Sequence, residues 1–301
     1  MTRCESGHVY DEAQHSLCPF CRLNRKLQWL MHKGWYSSAK NLADWYLSFS
    51  PEYRERDSSP GAVFAPNPFP EIVSAMCAWQ LGDFCEAAGR FEALRAVCAD
   101  GDRQRMEQRL GLFAQMTPPV AIDCPHERLR GVLHRLSFVF SGIRWGVRVF
   151  VAGSEAEYLD FLRTCLPGVD CAYDSFLACG FSGGGLDPCW LVFRREILEG
   201  EHAFADNALL GLCAHEMAHL DLGSRGIPDA FQDFRVPDAR PLWDQAVNER
   251  LTDLHVISKG LACALWSARA NDRKDDSGYV MTRQDIYSYI CGIDAESGAR
   301  A

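Results

Sequence analysis

The sequence predicts a mostly helical α+β protein. Residues 208–222 contain no proline and are apolar at nearly every position, which predicts a buried helix, with Asp206 and Asn207 as candidate N-caps. A half-buried strand is predicted where five apolar side chains alternate with polar or small ones, at Ile143, Trp145, Val147, Val149 and Val151. Residues 189–193 predict a second strand after a glycine-rich turn. Helices therefore dominate, with a small sheet in the second half of the chain.

Composition limits the function classes. The chain has 301 residues, of which 48% are hydrophobic and 24% charged, as in globular proteins of about two domains. A net charge of −9 argues against nucleic acid as a general partner. No apolar run approaches the roughly 20 residues of a membrane span, and the first residues do not form a secretory signal. We therefore expect no membrane association and a cytoplasmic location, or delivery from the cytoplasm without a cleavable signal peptide.

The most informative motif is His-Glu-x-x-His at residues 215–219. Two histidines four apart lie about 6 Å from each other on one helix face, so His215 and His219 can bind one metal ion. Glu216 then lies beside the ion, where it can act as general base on a metal-activated water. The alternative is a pair of histidines that are only hydrogen-bonded in a helical core.

A third zinc ligand is expected further along the chain. A second helix is predicted from about residue 242 to 266, and Glu249 and Asp253 share one face of it. Glu249 is the candidate ligand, and Asp253 is the candidate acceptor for the outer N–H of a ligating histidine. Asp244 is a weaker candidate ligand. The alternative is a solvated acidic pair on an amphipathic helix.

These residues resemble the gluzincins, in which His-Glu-x-x-His is followed by Asn-Glu-x-x-(Ser/Thr/Ala)-Asp. The order of elements before the motif resembles the branch of the CAAX-type prenyl proteases and their soluble minimal relatives, and the likeness covers about residues 126–266. It implies a zincin-type catalytic domain and a zinc metallopeptidase, with a metalloendopeptidase the expected kind, acting on a protein or peptide substrate. The chain departs from the pattern in having 29 residues between His219 and Glu249.

The residue that stabilises the transition state in this family, a tyrosine or histidine, has no matching motif. Four candidates remain, namely Tyr279, Tyr287, Tyr289 and His255. His255 lies about 240° around the helix from Glu249, so it is expected to face away from the metal.

A second metal site is predicted at the N-terminus. Cys4, His8, Cys18 and Cys21 form two short knuckles of thiolate and imidazole ligands, a set typical of structural zinc. The pattern resembles bacterial zinc ribbons, and His15 is an alternative to His8. The other interpretations are an unfolded tail and a redox Cys-x-x-Cys pair.

The middle of the chain carries an approximate repeat. Residues 34–39 and 82–87 both read Gly-x-aromatic-x-x-Ala, which resembles the tetratricopeptide repeat with a longer period. Such helix pairs can bind a protein partner or can be purely structural. The basic segment at residues 22–33 is expected to be a solvated amphipathic face rather than a nucleic-acid site.

We therefore predict a zinc-ribbon-like knuckle at residues 1–21, a tetratricopeptide-like helical region at 22–116 and a metallopeptidase domain at 117–301. The expected cofactors are one catalytic and one structural Zn²⁺. A rival hypothesis is a non-catalytic, zinc-stabilised adaptor with a protease-like domain. A hydrolase acting on a non-peptide amide is a third.

Overall fold

A computed structural model describes residues 2–5, 9–10, 18–49, 68–96, 98, 100–181, 188–225, 242–271 and 280–295. Within them the protein is mostly helical with a small mixed sheet, so the predicted fold class is confirmed at this level. The chain forms two compact units, Met1–Met116 with Tyr287–Ala301, and Thr117–Ile286. Among the described residues, no helix has both the length and the apolar character needed to span a membrane.

The first unit consists of helices preceded by a short two-stranded ribbon. Its elements are β1 (Thr2–Arg3), β2 (Val9–Tyr10), α1 (Pro19–His32), α2 (Tyr36–Phe49), α3 (Phe69–Gln80), α4 (Phe84–Leu94) and α5 (Asp100–Phe113). β1 and β2 pair in antiparallel orientation. Cys4 follows β1 directly, so this thiol is held at the end of the ribbon.

Two helix pairs follow the repeat seen in the sequence. Gly34 lies between α1 and α2 with a φ of 73°, and Gly82 lies between α3 and α4 with a φ of 87°. Glycine adopts this left-handed conformation without a steric cost, so both turns depend on it. Ala39 and Ala87, at the alanine positions of the repeat, are fully buried. The repeated sequence thus corresponds to two helix–turn–helix pairs.

A buried ion-pair network joins the two helix pairs. Lys40 on α2 is 1% exposed, and its Nζ lies 2.7 Å from Asp44 Oδ2 and 3.2 Å from Glu86 Oε2. Arg90 on α4 contacts the same two carboxylates, and Ser74 on α3 donates to Asp44. Burial alone would lower the pKa of Lys40, but Asp44 and Glu86 raise it above its ordinary value. The ammonium therefore stays charged and links α2 to α4.

The second unit combines a mixed sheet with further helices. Its elements are β3 (Ile122–Asp123), α6 (Glu127–Val139), β4 (Val147–Ala152), α7 (Glu155–Cys165), β5 (Ala178–Phe181), β6 (Cys189–Arg194), α8 (Asp206–Ser224), α9 (Leu242–Ser258), α10 (Ala262–Arg269) and the start of α11 (Arg283–Ala295). The strands lie in the order β3-β4-β6-β5. β4 runs parallel to both β3 and β6, whereas β5 pairs antiparallel with β6 and forms one edge.

The alternating segment forms a shorter strand than the sequence predicts. β4 starts at Val147, although the alternation begins at Ile143. The amide of Ile143 donates to a carbonyl at the end of α6, and the amide of Arg144 donates to the Ser224 hydroxyl. These bonds turn the chain out of α6 before it joins the sheet. The second predicted strand is confirmed as β6, with one residue added.

An aromatic cluster holds α7 against the sheet. Phe150 on β4 and Phe161 on α7 stack with 4.3 Å between ring centroids, and Tyr158 is fully buried beside them. The same cluster includes Val192 of β6 and Phe181 of β5. Stacked rings of this kind add to the stabilisation gained from burial. The cluster therefore fixes the position of the edge strand β5.

Candidate metal centre

Helix α8 carries the His-Glu-x-x-His motif and is buried throughout residues 208–221. A Cβ at Gly211 would clash with the carbonyl oxygen of Ala264, so α8 and α10 approach each other closely at this glycine. The apolar sequence of α8 thus reflects contacts on all sides. His215, Glu216 and His219 are only 3–5% exposed, so their polar atoms need partners inside the protein.

The predicted N-cap of this helix is wrong. Asp206 and Asn207 lie inside α8, whose N-cap position is Ala205. Their side chains bind other elements instead: Asp206 accepts from Arg128 at 2.8 Å, and Asn207 donates to Ser267 at 2.8 Å. Both side chains therefore bind residues distant in the sequence instead of capping the helix. The bond from Asn207 connects the start of α8 to α10.

The predicted helix at residues 242–266 is two helices in the structure. α9 ends at Ser258, Gly260 has a φ of 76°, and α10 begins at Ala262. A left-handed glycine ends α9, as is common at helix C-termini. This break allows α10 to pack along α8, and it brings Arg269 back to Asp253 on α9.

The tautomer of His215 follows from its hydrogen bonds. Its Nδ1 lies 2.8 Å from Asp253 Oδ1. Since a carboxylate can only accept, the ring donates its Nδ1 hydrogen there. Nε2 of the neutral ring therefore carries a lone pair, although it lies 2.9 Å from another acceptor, Glu249 Oε2.

The tautomer of His219 follows from Thr252. The Thr252 hydroxyl donates to the carbonyl of Asn248 at 2.9 Å, so its oxygen must accept from His219 Nδ1 at 3.2 Å. The lone pair of the neutral His219 ring is then on Nε2. That atom lies 3.1 Å from His215 Nε2 and 3.5 Å from Glu249 Oε2.

Three electron-pair donors thus converge on one buried point. His215 Nε2, His219 Nε2 and Glu249 Oε2 are 2.9–3.5 Å apart. Ligands of a tetrahedral zinc ion bound at 2.0–2.1 Å would lie about 3.3 Å apart, so the spacing fits such an ion. Without a cation or an added proton, the three atoms would repel one another in a medium of low dielectric constant. The predicted trio of His215, His219 and Glu249 is brought together by the fold.

The pKa values of His215 and Glu249 reflect two opposing effects, burial and contact with groups of opposite charge. Burial alone would lower the pKa of His215, but Asp253 and Glu249 raise it to about 9. Burial alone would raise the pKa of Glu249, but its contacts with His215 and His219 hold it well below the ordinary value. A metal ion that binds to the trio would therefore compete with a proton for His215.

Glu216 lies beside the edge strand β5. It is 5% exposed. A Cβ added at Gly180 on β5 would lie 3.7 Å from Glu216 Oε2 and 3.7 Å from a methyl group of Leu220. The strand thus passes in contact distance of the Glu216 carboxylate. A buried carboxylate beside an edge strand can exchange protons with a group that binds at that strand.

Asp253 is held by more groups than the sequence predicts. Its Oδ1 accepts from His215 and, at 2.6 Å, from Arg269; its Oδ2 accepts from the amide of Met281 at 2.7 Å. These contacts keep the pKa of Asp253 below its ordinary value despite burial. The part predicted for Asp253 matches this geometry, but Arg269 and Met281 belong to no motif. A buried arginine is uncommon, yet burial cannot be read from its sequence context.

None of the remaining candidates whose side chains the structure describes joins the cluster. His255 Nε2 donates to Asp221 Oδ2 at 2.8 Å, away from the trio. Tyr287 belongs to the first unit and stacks on Trp45. Tyr289 is half-buried and belongs to the same first unit. The side chains of Asp244 and Tyr279 lie outside the described residues.

A second cluster forms at the N-terminus. The Sγ atoms of Cys4, Cys18 and Cys21 lie within 4.8 Å of one another, and those of Cys4 and Cys21 are 3.6 Å apart. That separation is too long for a disulfide but close to the roughly 3.8 Å between thiolates on one tetrahedral zinc ion. Burial and the neighbouring thiols raise the pKa of Cys18 to about 11. His8 and His15 lie outside the described residues.

A scan against protein-family models, a search of curated proteins and a search of solved structures each found no match. A functional interpretation of this chain therefore depends on the chemistry of its own residues.

Proposed function

We propose that the chain is a zinc metallopeptidase of the gluzincin type, with His215, His219 and Glu249 as metal ligands. The observation that carries this proposal is the convergence of three lone pairs on one buried point, next to a buried carboxylate. In a neutral core histidine that is merely hydrogen-bonded, the nitrogen with the lone pair faces a hydrogen-bond donor. Here both Nε2 atoms meet other acceptors, which is the arrangement of metal ligands.

The chain's own residues would divide the work as follows. A zinc ion bound by the trio would supply a Lewis acid and would lower the pKa of water to near 7. Glu216 takes a proton from the attacking water and returns it to the departing amine. Asp253 and Thr252 hold the two imidazoles in the tautomers that leave Nε2 available. Buried surroundings strengthen each of these electrostatic contacts.

A protein or peptide is the substrate class that the geometry favours. β5 is one of the two edge strands of the described sheet, and it passes beside Glu216. An extended peptide can add to such an edge through main-chain hydrogen bonds, which would align its carbonyls with the centre. Gly180 leaves that stretch of β5 without a side chain facing Glu216. A non-peptide amide would not use the edge strand.

The thiol cluster is proposed as a separate structural zinc site. Cys4, Cys18 and Cys21 supply three soft ligands, and His8 is proposed as the fourth. A segment of about 20 residues cannot bury a core of its own, so metal binding would supply much of its folding energy. None of the cysteines in the described residues is in a disulfide, which supports a reducing compartment such as the cytoplasm.

The experiment compares cells that express the wild type with cells that express Glu216→Gln, by sequencing newly formed protein N-termini. We expect new N-termini only with the wild type, and equal zinc content in both purified proteins, because Gln removes the base but not a ligand. Glu199→Gln is the matched control, since Glu199 is an exposed carboxylate of the same unit. Identical N-termini in wild type and Glu216→Gln would refute the hydrolase and favour the zinc-stabilised adaptor.

A further inference from the structure

Helix α1 carries a stripe of exposed cationic and aromatic side chains that has no part in the proposed metal centre. Residues 18–33 contain four lysines and arginines and no acidic residue, in a chain whose net charge is −9. Leu23, Leu27 and Leu30 of α1 are buried, so the opposite face of the helix is turned to solvent. The local charge is thus reversed relative to the whole molecule.

The stripe consists of cationic and aromatic side chains on one face. Arg22, Arg25, Trp29 and Lys33 are all exposed, and at 100° per residue they fall within one third of the helix circumference. Eleven residues of helix span about 16 Å, the length of about five residues of extended peptide. The stripe is therefore large enough for a short linear segment.

Two tryptophans at the end of the stripe are held in place although they are exposed. Trp29 is 38% and Trp35 is 48% exposed, and their rings meet edge to face at 5.2 Å between centroids. The Nζ of Lys26, itself buried, lies 5.3 Å from the centre of the Trp29 ring. Such contacts fix the indoles before any partner binds, which lowers the entropic cost of binding. Solvation of this face does not by itself account for two exposed indole rings.

We infer that this stripe, Arg22, Arg25, Trp29, Lys33 and Trp35, is a docking surface for an acidic segment of a partner or substrate protein. Tryptophan and arginine are the residues most enriched at the energetic centres of protein interfaces. Charge complementarity selects an acidic segment, and the exposed indoles select apolar side chains within it. A nucleic acid fits less well, because the stripe is short and the remainder of the molecule is strongly negative.

Binding is tested with fluorescein-labelled peptides on the full chain carrying Glu216→Gln, so that cleavage cannot mimic lack of binding. The probes are an alternating glutamate–leucine peptide of about 12 residues, a lysine–leucine peptide and an oligothymidylate of the same length. We expect the acidic peptide to bind more tightly than the other two, with an affinity that falls as salt rises.

Two sets of variants locate the site. Trp29→Ala with Trp35→Ala, and separately Arg22→Glu with Arg25→Glu, should each weaken binding of the acidic peptide about tenfold or more. Leu112→Ala, another exposed apolar residue of the same unit, should leave the affinity unchanged. Circular dichroism and zinc content show whether each variant is folded; the charge reversals alter only exposed positions.

Failure of the acidic peptide to bind would overturn the inference, as would binding that neither set of variants weakens. Tighter binding of the oligothymidylate would also overturn it and would assign the stripe to single-stranded nucleic acid. These outcomes do not depend on hydrolysis, since Glu216→Gln is present throughout.

Discussion

Arg269 donates to Asp253 Oδ1 across 2.6 Å, although 16 residues and a helix break separate them in the sequence. Arg269 is 4% exposed and Asp253 is fully buried. Asp253 in turn accepts from His215, so a cation from α10 is linked to the proposed metal through one carboxylate and one imidazole. The bound zinc and Arg269 would together balance the charges of Glu216, Glu249 and Asp253.

Replacing Arg269 should therefore weaken zinc binding without removing a ligand. We expect Arg269→Met to lower zinc affinity by about 10–100-fold, the range for partners of ligating histidines. Arg269→Lys keeps the charge but loses the planar guanidinium, so its loss should be smaller. Competition with a chromophoric chelator measures both. Equal affinity in Arg269→Met and wild type would show that the Asp253–Arg269 contact does not support the metal.

The number of bound zinc ions should report the two clusters separately. We expect two per wild-type chain, one in His219→Ala and one in Cys21→Ser, because each change removes one ligand from one cluster. Inductively coupled plasma mass spectrometry on purified protein measures the ratio. Loss of cleavage is expected with His219→Ala. Two ions retained in Cys21→Ser would contradict the thiol site.

Stability of the metal-free protein should fall at high pH. Because folding raises the pKa of His215 from 6.5 to about 9, its contribution is fully present below pH 6.5 and is lost as the pH rises through about 9. The loss is on the order of 3 kcal/mol for a shift of this size. Urea unfolding in chelator at several pH values measures it. His215→Ala, which lacks the titrating ring, should lose this part of the pH dependence; an unchanged profile would contradict the assignment.

The buried ion network of the first unit should be sensitive to loss of its central cation. Lys40→Ala leaves Asp44 and Glu86 in a buried site without their ammonium, and removing one partner of a buried pair costs about 3–5 kcal/mol. Arg95→Ala is the control, since its pair with Glu92 is exposed and should contribute little to stability. Thermal unfolding compares them. Similar small effects would show that the network contributes little.

Gly211 should not tolerate a methyl group. Gly211→Ala forces α10 away from α8 at the carbonyl of Ala264, so we expect lower stability and weaker zinc binding. Gly131→Ala is the matched control in α6, because a Cβ there meets nothing within 4 Å and alanine favours a helix by about 1 kcal/mol. A neutral Gly211→Ala would mean that the two helices can separate without cost.

The sequence predicts the ligand trio because the information is local. Helical periodicity places His215 beside His219, and Glu249 beside Asp253, before any tertiary structure is known. Only the meeting of α8 with α9 had to be inferred from the chemistry of zinc. The helical class and the strand at residues 189–193 could be predicted for the same local reason.

The features that could not be predicted from the sequence depend on tertiary contacts. Arg269 reaches Asp253 only because Gly260 ends α9, and a glycine inside a helical pattern does not by itself reveal a break. Asp206 and Asn207 are good local caps, yet Arg128 and α10 compete for their side chains. Ile143 has the pattern of a strand but is used in a turn.

The amide of Met281 has a consequence for how the protein is made. Ligands and base are all synthesised by residue 253, but Asp253 Oδ2 receives its backbone donor only from residue 281. A growing chain would therefore carry every chemical group of the centre while its imidazoles were still loosely oriented. Translation would therefore delay the onset of the proposed hydrolysis, and the delay would protect the unfinished chain and its ribosomal neighbours from cleavage.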